Sequence, residues 1–206
     1  MSADNLSTFV RSFFEQHLVA QRGLSSHTVL GYRDSLKLFF QYVSGRLRKS
    51  CTQLTIDHLK PEVVRAFLDH LEKVRENSVA TRNARLAAIH AFFQYLAILD
   101  PRHMAPCQAI LAVPFKRQVH RVPVYLEKQE VQAIFSCIKY DSVLGQRDDA
   151  LLRLLYNTGM RAQEIVDLNI CHLRLTRPWH VLIHGKGRRE RTAPFGRIPS
   201  ILSKRI

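Results

Sequence analysis

The stretch LLYNTGMRAQEIVDLNICHLRLTRPWHVLIHGKGRRERTAPF, Leu154–Phe195, decides the fold of the second half of this chain. It begins with the last turns of a predicted helix, which Asn157-Thr158-Gly159 is suited to end. A short helix is predicted next, over 162–167. The hydrophobic pattern then changes from a helical period to alternation, which is typical of strands. The stretch therefore predicts helices first and a small antiparallel sheet after them.

The predicted sheet has three short strands, at 172–176, 179–184 and 191–195. The second and third strands are joined across Gly185-Lys186-Gly187-Arg188, a glycine-containing connection typical of a hairpin. Two more helices are predicted upstream, at 127–138 and 147–156. Residues 124–206 are therefore predicted to form an α+β domain.

The first half predicts four amphipathic helices and no strand. Ser25 or Ser26 can cap the second of these helices, and the fourth opens near Ser78. The residues that recur at helical spacing on each helix are Leu6, Phe9, Phe13 and His17; Val29, Tyr32, Leu36, Phe39 and Val43; Val64, Phe67, Leu68 and Leu71; and Leu86, Ile89, Phe93 and Leu96. Each helix would bury one face, so residues 1–100 predict a small helical bundle. The predicted fold class is mainly α with a small antiparallel β-sheet.

The chain is strongly basic. Its 31 Lys and Arg against 17 Asp and Glu give a net charge of +14, which predicts a polyanionic partner. An anionic membrane would also attract this charge, but no run reaches the roughly 18 apolar residues that a spanning helix needs. Met1–Asn5 lacks the features of a signal peptide. We therefore expect a cytoplasmic protein with no membrane partner.

Residues 101–123 are predicted to be a basic linker between the two domains. Prolines punctuate this segment, and it carries three cations, Lys116, Arg117 and Arg121. Composition leaves two interpretations open. The segment either tethers two domains around a rod-shaped ligand or is an ordinary solvated connection.

The sequence gives no pattern for a metal site. Its histidines form no HExxH motif. Its cysteines lie far apart, without a paired CxxC spacing, at Cys51, Cys107, Cys137 and Cys171. We expect reduced thiols and no bound metal. We also expect no cofactor and no small-molecule ligand.

Two motifs in the second half carry candidate chemistry. In TGMRAQEI, Thr158–Ile165, a glycine permits a sharp turn and Arg161 stands at the start of the next helix. That position favours contact with an anionic phosphoryl oxygen, and Glu164 could orient the guanidinium. The alternative is an ordinary surface salt bridge between Arg161 and Glu164.

The second motif is HGKGRRERTAPF, His184–Phe195, a hairpin with a lysine between two glycines. The pKa of Lys186 would be lowered toward that of a useful general acid by three nearby arginines, Arg188, Arg189 and Arg191. The alternative is a basic, solvated turn that only touches phosphates.

In this order and spacing, the two motifs resemble the tyrosine recombinases, or phage-type integrases, of the Xer-like kind. The resemblance covers nearly the whole chain. SSHTVLGYRDSLKLFFQYV, Ser25–Val43, and SVATRNARLAAIHAFFQYL, Ser78–Leu96, resemble two helices of the family's SAM-like core-binding domain, and LLYNTGMRAQEIVDL with GKGRRERTAPF resembles the start of its catalytic domain. The resemblance implies double-stranded DNA as partner, with recombination or integration of DNA, including that of mobile elements. It also implies possible assembly with other recombinase protomers on DNA.

By this resemblance, Arg161 binds the scissile phosphate and stabilises the transition state, while Lys186 protonates the leaving 5′ oxygen. Glu164 matches the family's acidic neighbour of the first arginine. The family continues with a His-x-x-Arg motif and a nucleophilic tyrosine, for which the 206 residues contain no counterpart. We therefore expect DNA binding without strand cleavage by this truncated chain. Missing helices would expose apolar surface around Leu151, Leu155 and Val181.

Basic pairs on two predicted helices are further DNA-binding candidates. Arg33 and Lys37 lie four residues apart, and Arg82 and Arg85 lie three apart, so that each pair lines one helix face. A merely solvated face is the alternative for each pair. Two rival functions also stay open: a non-enzymatic DNA-binding regulator or accessory protein, and a helical interaction module whose charge only keeps it soluble.

Overall fold

The computed structural model describes residues 6–118, 123–185 and 189–195. The chain divides into two compact units, Met1–Arg121 and Val122–Ile206. In the described ranges, no helix is both long enough and apolar enough to cross a membrane. Lys186, Arg188 and Arg121, three of the predicted site residues, lie outside the described residues.

The first unit consists of helices. They are α1 (Leu6–Ser12), which continues as a π-helix (Phe13–Gln21), α2 (Ser26–Leu47), α3 (Pro61–Lys73), α4 (Val79–Leu99) and α5 (Met104–Leu111), with short 3-10 turns at Cys51–Gln53, Ile56–His58 and Pro101–His103. The caps of the two long helices follow from the sequence. The side chain of Ser25 accepts a hydrogen bond from the backbone N–H of Thr28, and Ser78 accepts one from Thr81.

The first helix changes type at Phe13. In the π-helical part, the N–H of Arg22 donates to the carbonyl of His17 five residues earlier, at 3.0 Å. The wider turn brings the imidazole of His17 against the ring of Tyr95, with centroids 4.8 Å apart. The sequence predicts an ordinary α-helix here, because the apolar stripe alone does not reveal an inserted residue.

The core of the first unit contains a cluster of packed aromatic rings. Phe39 of α2 lies 5.2 Å from Phe67 of α3, and Phe92 of α4 lies edge-on to Phe13 at 5.5 Å, between ring centroids. All four rings are fully buried. Side chains of this size dominate the hydrophobic stabilisation of a small bundle.

The predicted linker over 101–123 differs from the structure in its first part. Helix α5 packs against α4, and Cys107, Ile110 and Val113 belong to the core of the first unit. Pro106 stands in the first turn of α5, where a missing N–H costs no helical hydrogen bond. The bundle therefore extends past the predicted boundary at residue 100.

The second unit combines three helices with a sheet. The helices are α6 (Lys128–Ser136), α7 (Val143–Thr158) and α8 (Ala162–Val166), and a 3-10 turn at Ile170–His172 leads into β1 (Leu173–Arg174), β2 (His180–His184) and β3 (Glu190–Pro194). The three strands lie in the order β1-β2-β3, and both pairs are antiparallel. The prediction of a mainly α fold with a small antiparallel sheet is confirmed.

A small core lies between this sheet and the helices. Val181 and Ile183 of β2 are buried together with Leu154 of α7, Met160 and Phe195. The expectation of exposed apolar surface was therefore wrong for Val181, whose alternate position on β2 points it into the core. For Leu151 it holds, since that side chain is exposed.

Candidate functional site

The turn between α7 and α8 sets the position of Arg161. Gly159 ends α7 in the left-handed region, at φ +60°, and its N–H donates to the carbonyl of Leu155 at 2.9 Å. A residue with a Cβ is disfavoured at this φ, which explains the glycine. Arg161 follows two residues later as the N-cap of α8, in extended conformation. Its side chain is 72% exposed.

Glu164 is the buried centre of the site. Its side chain is only 6% exposed, yet it carries a carboxylate. Oε1 accepts hydrogen bonds from Nη1 of Arg161 at 2.9 Å and from Nη1 of Arg191 at 3.2 Å. Oε2 accepts from the backbone N–H of Arg161 at 2.9 Å and from Nη2 of Arg191 at 2.9 Å.

These four donors favour the ionised carboxylate. The hydrogen bonds from Arg191, followed by the backbone N–H of Arg161, lower the pKa of Glu164 from 4.5 to about 2. In return, the carboxylate raises the pKa of Arg191. The cluster of two guanidinium groups and one carboxylate therefore keeps a net charge of one positive unit.

An open cleft of about 460 Å³ lies beside this cluster, lined by Arg161, Gly185, Arg189, Glu190 and Arg191. The N–H of Gly185 donates to the carbonyl of Arg189 at 2.7 Å, and this bond draws the two ends of the hairpin connection together. The cleft thus joins the two motifs that the sequence singled out. Its exposed guanidinium groups can bind an anion.

Two of the predicted hairpin arginines are described, and the structure separates them. Both are exposed and line the cleft, but Arg191 of β3 also forms an ion pair with Glu164 at 2.9 Å. The sequence predicts that both arginines contribute to the positive field around Lys186. It does not predict the contact of Arg191 with Glu164, since the two residues lie 27 positions apart and no local pattern links them.

A second buried carboxylate, Asp149 of α7, was not predicted. Nε of Arg153 donates to both of its oxygens at 2.8 Å, and the hydroxyl of Tyr140 donates to Oδ1 at 2.8 Å. Arg153 also lies over the ring of Phe135, 5.0 Å from its centroid. The i,i+4 spacing of Asp149 and Arg153 was the signal that could have found this pair. The network holds α6 and α7 together and lies outside the cleft lining.

The basic pairs of the first unit have different surroundings. Arg33 and Lys37 of α2 are exposed, and Arg33 forms an ion pair with Asp34 at 3.1 Å. Arg82 and Arg85 of α4 are half-buried. Burial, together with the neighbouring Arg75, lowers the pKa of Arg85.

The segment after α5 is fastened to the first unit. Nη1 of Arg82 donates to the carbonyl of Pro114 at 3.3 Å, and the amide of Asn83 exchanges two hydrogen bonds with the backbone of Lys116. Nζ of Lys116 forms an ion pair with Glu72 at 2.9 Å. Arg117 is exposed. Of the predicted linker cations, Lys116 thus already has a carboxylate partner.

The described residues include no group of three or more His, Cys, Asp or Glu side chains placed to hold a metal ion. His184 of β2 lies close to one glutamate and one histidine. Its Nδ1 lies 3.1 Å from Oε1 of Glu190, and its ring contacts that of His172 with centroids 4.6 Å apart.

Comparisons with known proteins match both halves of the chain. Residues 12–98 match the family described as phage integrase, N-terminal SAM-like domain, and residues 124–206 match the phage integrase family. The y4rD protein of Sinorhizobium fredii, named as an integrase/recombinase, is 38% identical over 98% of this chain and 71% of its own length. This chain belongs to the tyrosine recombinase family.

Other relatives in this family are longer than the matched region. The tyrosine recombinase XerC of Pelobacter propionicus is 31% identical over 89% of this chain, which spans 58% of that protein. Among solved structures, the XerH site-specific recombinase bound to palindromic difH substrate superimposes with a TM-score of 0.61. It is 22% identical and covers 84% of this chain and 49% of XerH, so this likeness concerns the fold alone.

Proposed function

We propose that this chain binds double-stranded DNA as the DNA-recognition part of a site-specific recombinase. The observation that carries the proposal is the cleft beside the Arg161–Glu164–Arg191 cluster. There, a carboxylate is saturated by internal donors, and the guanidinium of Arg161 is left 72% exposed. Family membership and the net charge of +14 support the same partner.

In this proposal, Arg161 binds the phosphate at which the family's reaction takes place. Its fork of donors suits two phosphoryl oxygens, and it would stabilise negative charge that develops there. Lys186, assigned by family resemblance as the proton donor, lies in the sequence between Gly185 and Arg189, which both line the cleft. Arg188 and Arg189 would add phosphate contacts around that lysine.

The first unit would supply contacts that position the protein on the duplex. Arg33 and Lys37 offer exposed cations on α2, which suits phosphate contacts. Arg82 and Arg85 are half-buried, so they would contact DNA with part of each guanidinium. We also assign phosphate contacts to Lys116, Arg117 and Arg121, the cations that follow α5.

We further propose that residues 1–206 alone do not cut DNA. Strand cleavage by this family needs a tyrosine oxygen that attacks the phosphate, and proximity to cations cannot replace it. No tyrosine is among the described residues that line the cleft. The hydroxyl of Tyr140 is bonded to Asp149, and none of the ten histidines is followed by arginine three residues later.

The test is a binding and cleavage experiment with the 206-residue polypeptide. Fluorescence anisotropy with a labelled duplex should show binding that weakens steeply as salt rises. Denaturing gels of the same mixtures should show no covalent protein–DNA adduct. An affinity that does not change with salt concentration would exclude the DNA proposal and favour an interaction module. A covalent protein–DNA adduct would overturn the proposed lack of cleavage.

Sequence specificity needs a separate measurement. Selection from a random duplex pool should enrich one motif, and a pair of motif copies would indicate that protomers assemble on DNA. Mixing the polypeptide with a complete family member on such a site then separates two roles. A recombining mixed complex supports the recombinase role, while simple inhibition favours a regulator.

A further inference from the structure

Arg191 has a different environment from the other described cation of the hairpin, Arg189. Its guanidinium faces Glu164 with both terminal nitrogens, and Nη2 also lies 3.5 Å from the carbonyl of Gly159. We propose that Arg191 is a positioning residue that keeps Arg161 available for a DNA phosphate. This inference rests on the proposed function, because it concerns how the same cleft binds DNA.

Arg161 and Arg191 share the two oxygens of Glu164. Each oxygen of Glu164 accepts one hydrogen bond from Arg161 and one from Arg191. Arg161 thereby approaches the carboxylate with its backbone N–H and a single side-chain nitrogen, Nη1. Its other guanidinium N–H groups have no hydrogen-bond partner among the described residues, and Arg161 lines the cleft, which suits the two-pronged binding of a phosphate.

Arg191 also sets the net charge of the cluster. A carboxylate with Arg161 as its sole partner would neutralise that arginine and attract its guanidinium away from an incoming anion. Arg191 supplies a second positive charge to the same carboxylate, so the cluster keeps one unit for the ligand. Because Glu164 is 6% exposed, solvent cannot take over this role.

Arg189 provides a matched comparison for Arg191 within the hairpin. Arg189 and Arg191 lie two residues apart on the same hairpin and both line the cleft. Among the described residues, the guanidinium groups in ion-pair contact with Glu164 are those of Arg161 and Arg191. A substitution at Arg189 therefore removes the same charge from the same cleft without touching the carboxylate.

The carboxylate itself is tested without DNA. NMR titration of the Glu164 side-chain carboxyl should give a pKa of about 2 in the parent chain. Arg191→Gln should raise it toward 4.5, while Arg189→Gln should leave it unchanged. Arg191→Lys should restore part of the shift. An equal shift of the Glu164 pKa in the Arg189 and Arg191 variants would overturn the proposal, since it would reflect only the loss of a positive charge somewhere near the carboxylate.

The positioning role is tested by a double-mutant cycle on DNA affinity. In the parent chain, Arg161→Gln should weaken binding about tenfold, as expected for a lost charged hydrogen bond. In a chain that already carries Arg191→Gln, Arg161→Gln should weaken DNA binding by less than about threefold. In a chain that carries Arg189→Gln, it should still weaken binding about tenfold. Additive effects of Arg161 and Arg191 would instead show two independent phosphate contacts and overturn the inference.

Folding and failure of the proposed function are separable in this design. Trp179 is the sole tryptophan and packs against the core of the second unit, so its emission reports whether each variant is folded. If Arg191→Gln unfolds that unit, the cycle is run with Arg191→Lys, which should show partial coupling. A parent chain that binds no DNA overturns both proposals, and the Glu164 titration then still shows whether Arg191 holds the carboxylate.

Discussion

Nε of Arg153 lies 2.8 Å from each oxygen of Asp149, so one nitrogen bridges a carboxylate whose side chain is 3% exposed. Asp149→Asn should lower the unfolding free energy of the second unit by about 2 kcal/mol, because a buried charged hydrogen-bond network is broken. Denaturant unfolding followed by Trp179 emission measures this loss. Asp148→Asn is the matched control, since its ion pair with Arg147 is exposed and should change stability by less than about 0.5 kcal/mol.

The assignment of α5 to the bundle predicts a cost for cutting back its buried face. Ile110→Ala should destabilise the first unit by about 2–4 kcal/mol, because the isoleucine is fully buried in its core. Far-UV circular dichroism during denaturation follows the helices of both units, and the unfolding step of the first unit should shift. The denaturation midpoint from Trp179 emission, which reports the second unit, should stay unchanged. Gln108→Ala, at an exposed position of α5, should have almost no effect. Equal effects of the two changes would mean that α5 is not part of the core.

Glycine-to-alanine changes at Gly159 and Gly31 should have opposite effects on stability. At Gly159 a Cβ meets no atom within 4 Å, so Gly159→Ala should cost about 1 kcal/mol through its φ of +60° alone. Gly31 lies inside α2 with similar free space, so Gly31→Ala should stabilise the first unit by about 1 kcal/mol. Thermal unfolding of both variants, followed in the unit concerned, measures the contrast.

Acid should weaken the second unit within a defined window. The folded-state pKa of Glu164 is about 2, below its ordinary 4.5, so its contribution is complete above pH 4.5 and is lost as pH falls toward 2. The denaturation midpoint from Trp179 emission should therefore decrease through this range. Glu164→Gln should be less stable at neutral pH and should show a shallower decrease. A parallel pH profile in this variant would assign the acid sensitivity to other groups.

The DNA proposal predicts a salt signature for single cations. Lys37→Gln should weaken binding to all duplex sequences alike and reduce the slope of log affinity against log salt by about one. Arg11→Gln removes an exposed cation of α1 that forms an ion pair with Glu15. This control should leave the slope unchanged. Equal slopes for both variants would place Lys37 away from the duplex.

The sequence predicted those parts of the fold that depend on local chemistry. The stop at Gly159, the serine caps of α2 and α4 and the change from helix to strand all follow from neighbouring residues. Helix α5 was missed because Pro106 suggested a linker, although proline is tolerated in a first turn. The helical boundaries of α7 also differ, since Ser142 caps it several residues before the predicted start.

The site was predictable as two motifs, and the contact that unites them was not. Arg161 and Glu164 are three residues apart, so their pairing follows from helical spacing. Arg191 reaches the same carboxylate only because β3 pairs with β2, and this register depends on side-chain packing across the sheet. For the same reason, a sequence cannot distinguish Arg191 from Arg189.

The bond between Glu164 and Arg191 also has a consequence for the order of folding. It closes a loop of 27 residues, so the carboxylate receives its second arginine only after β3 has docked. Until then, α7 and α8 can form a helical pair in which Glu164 competes with an anion for the guanidinium of Arg161. The anion-binding cleft and the native sheet should therefore appear together in refolding, and hydrogen exchange at Arg191 should report the opening of both.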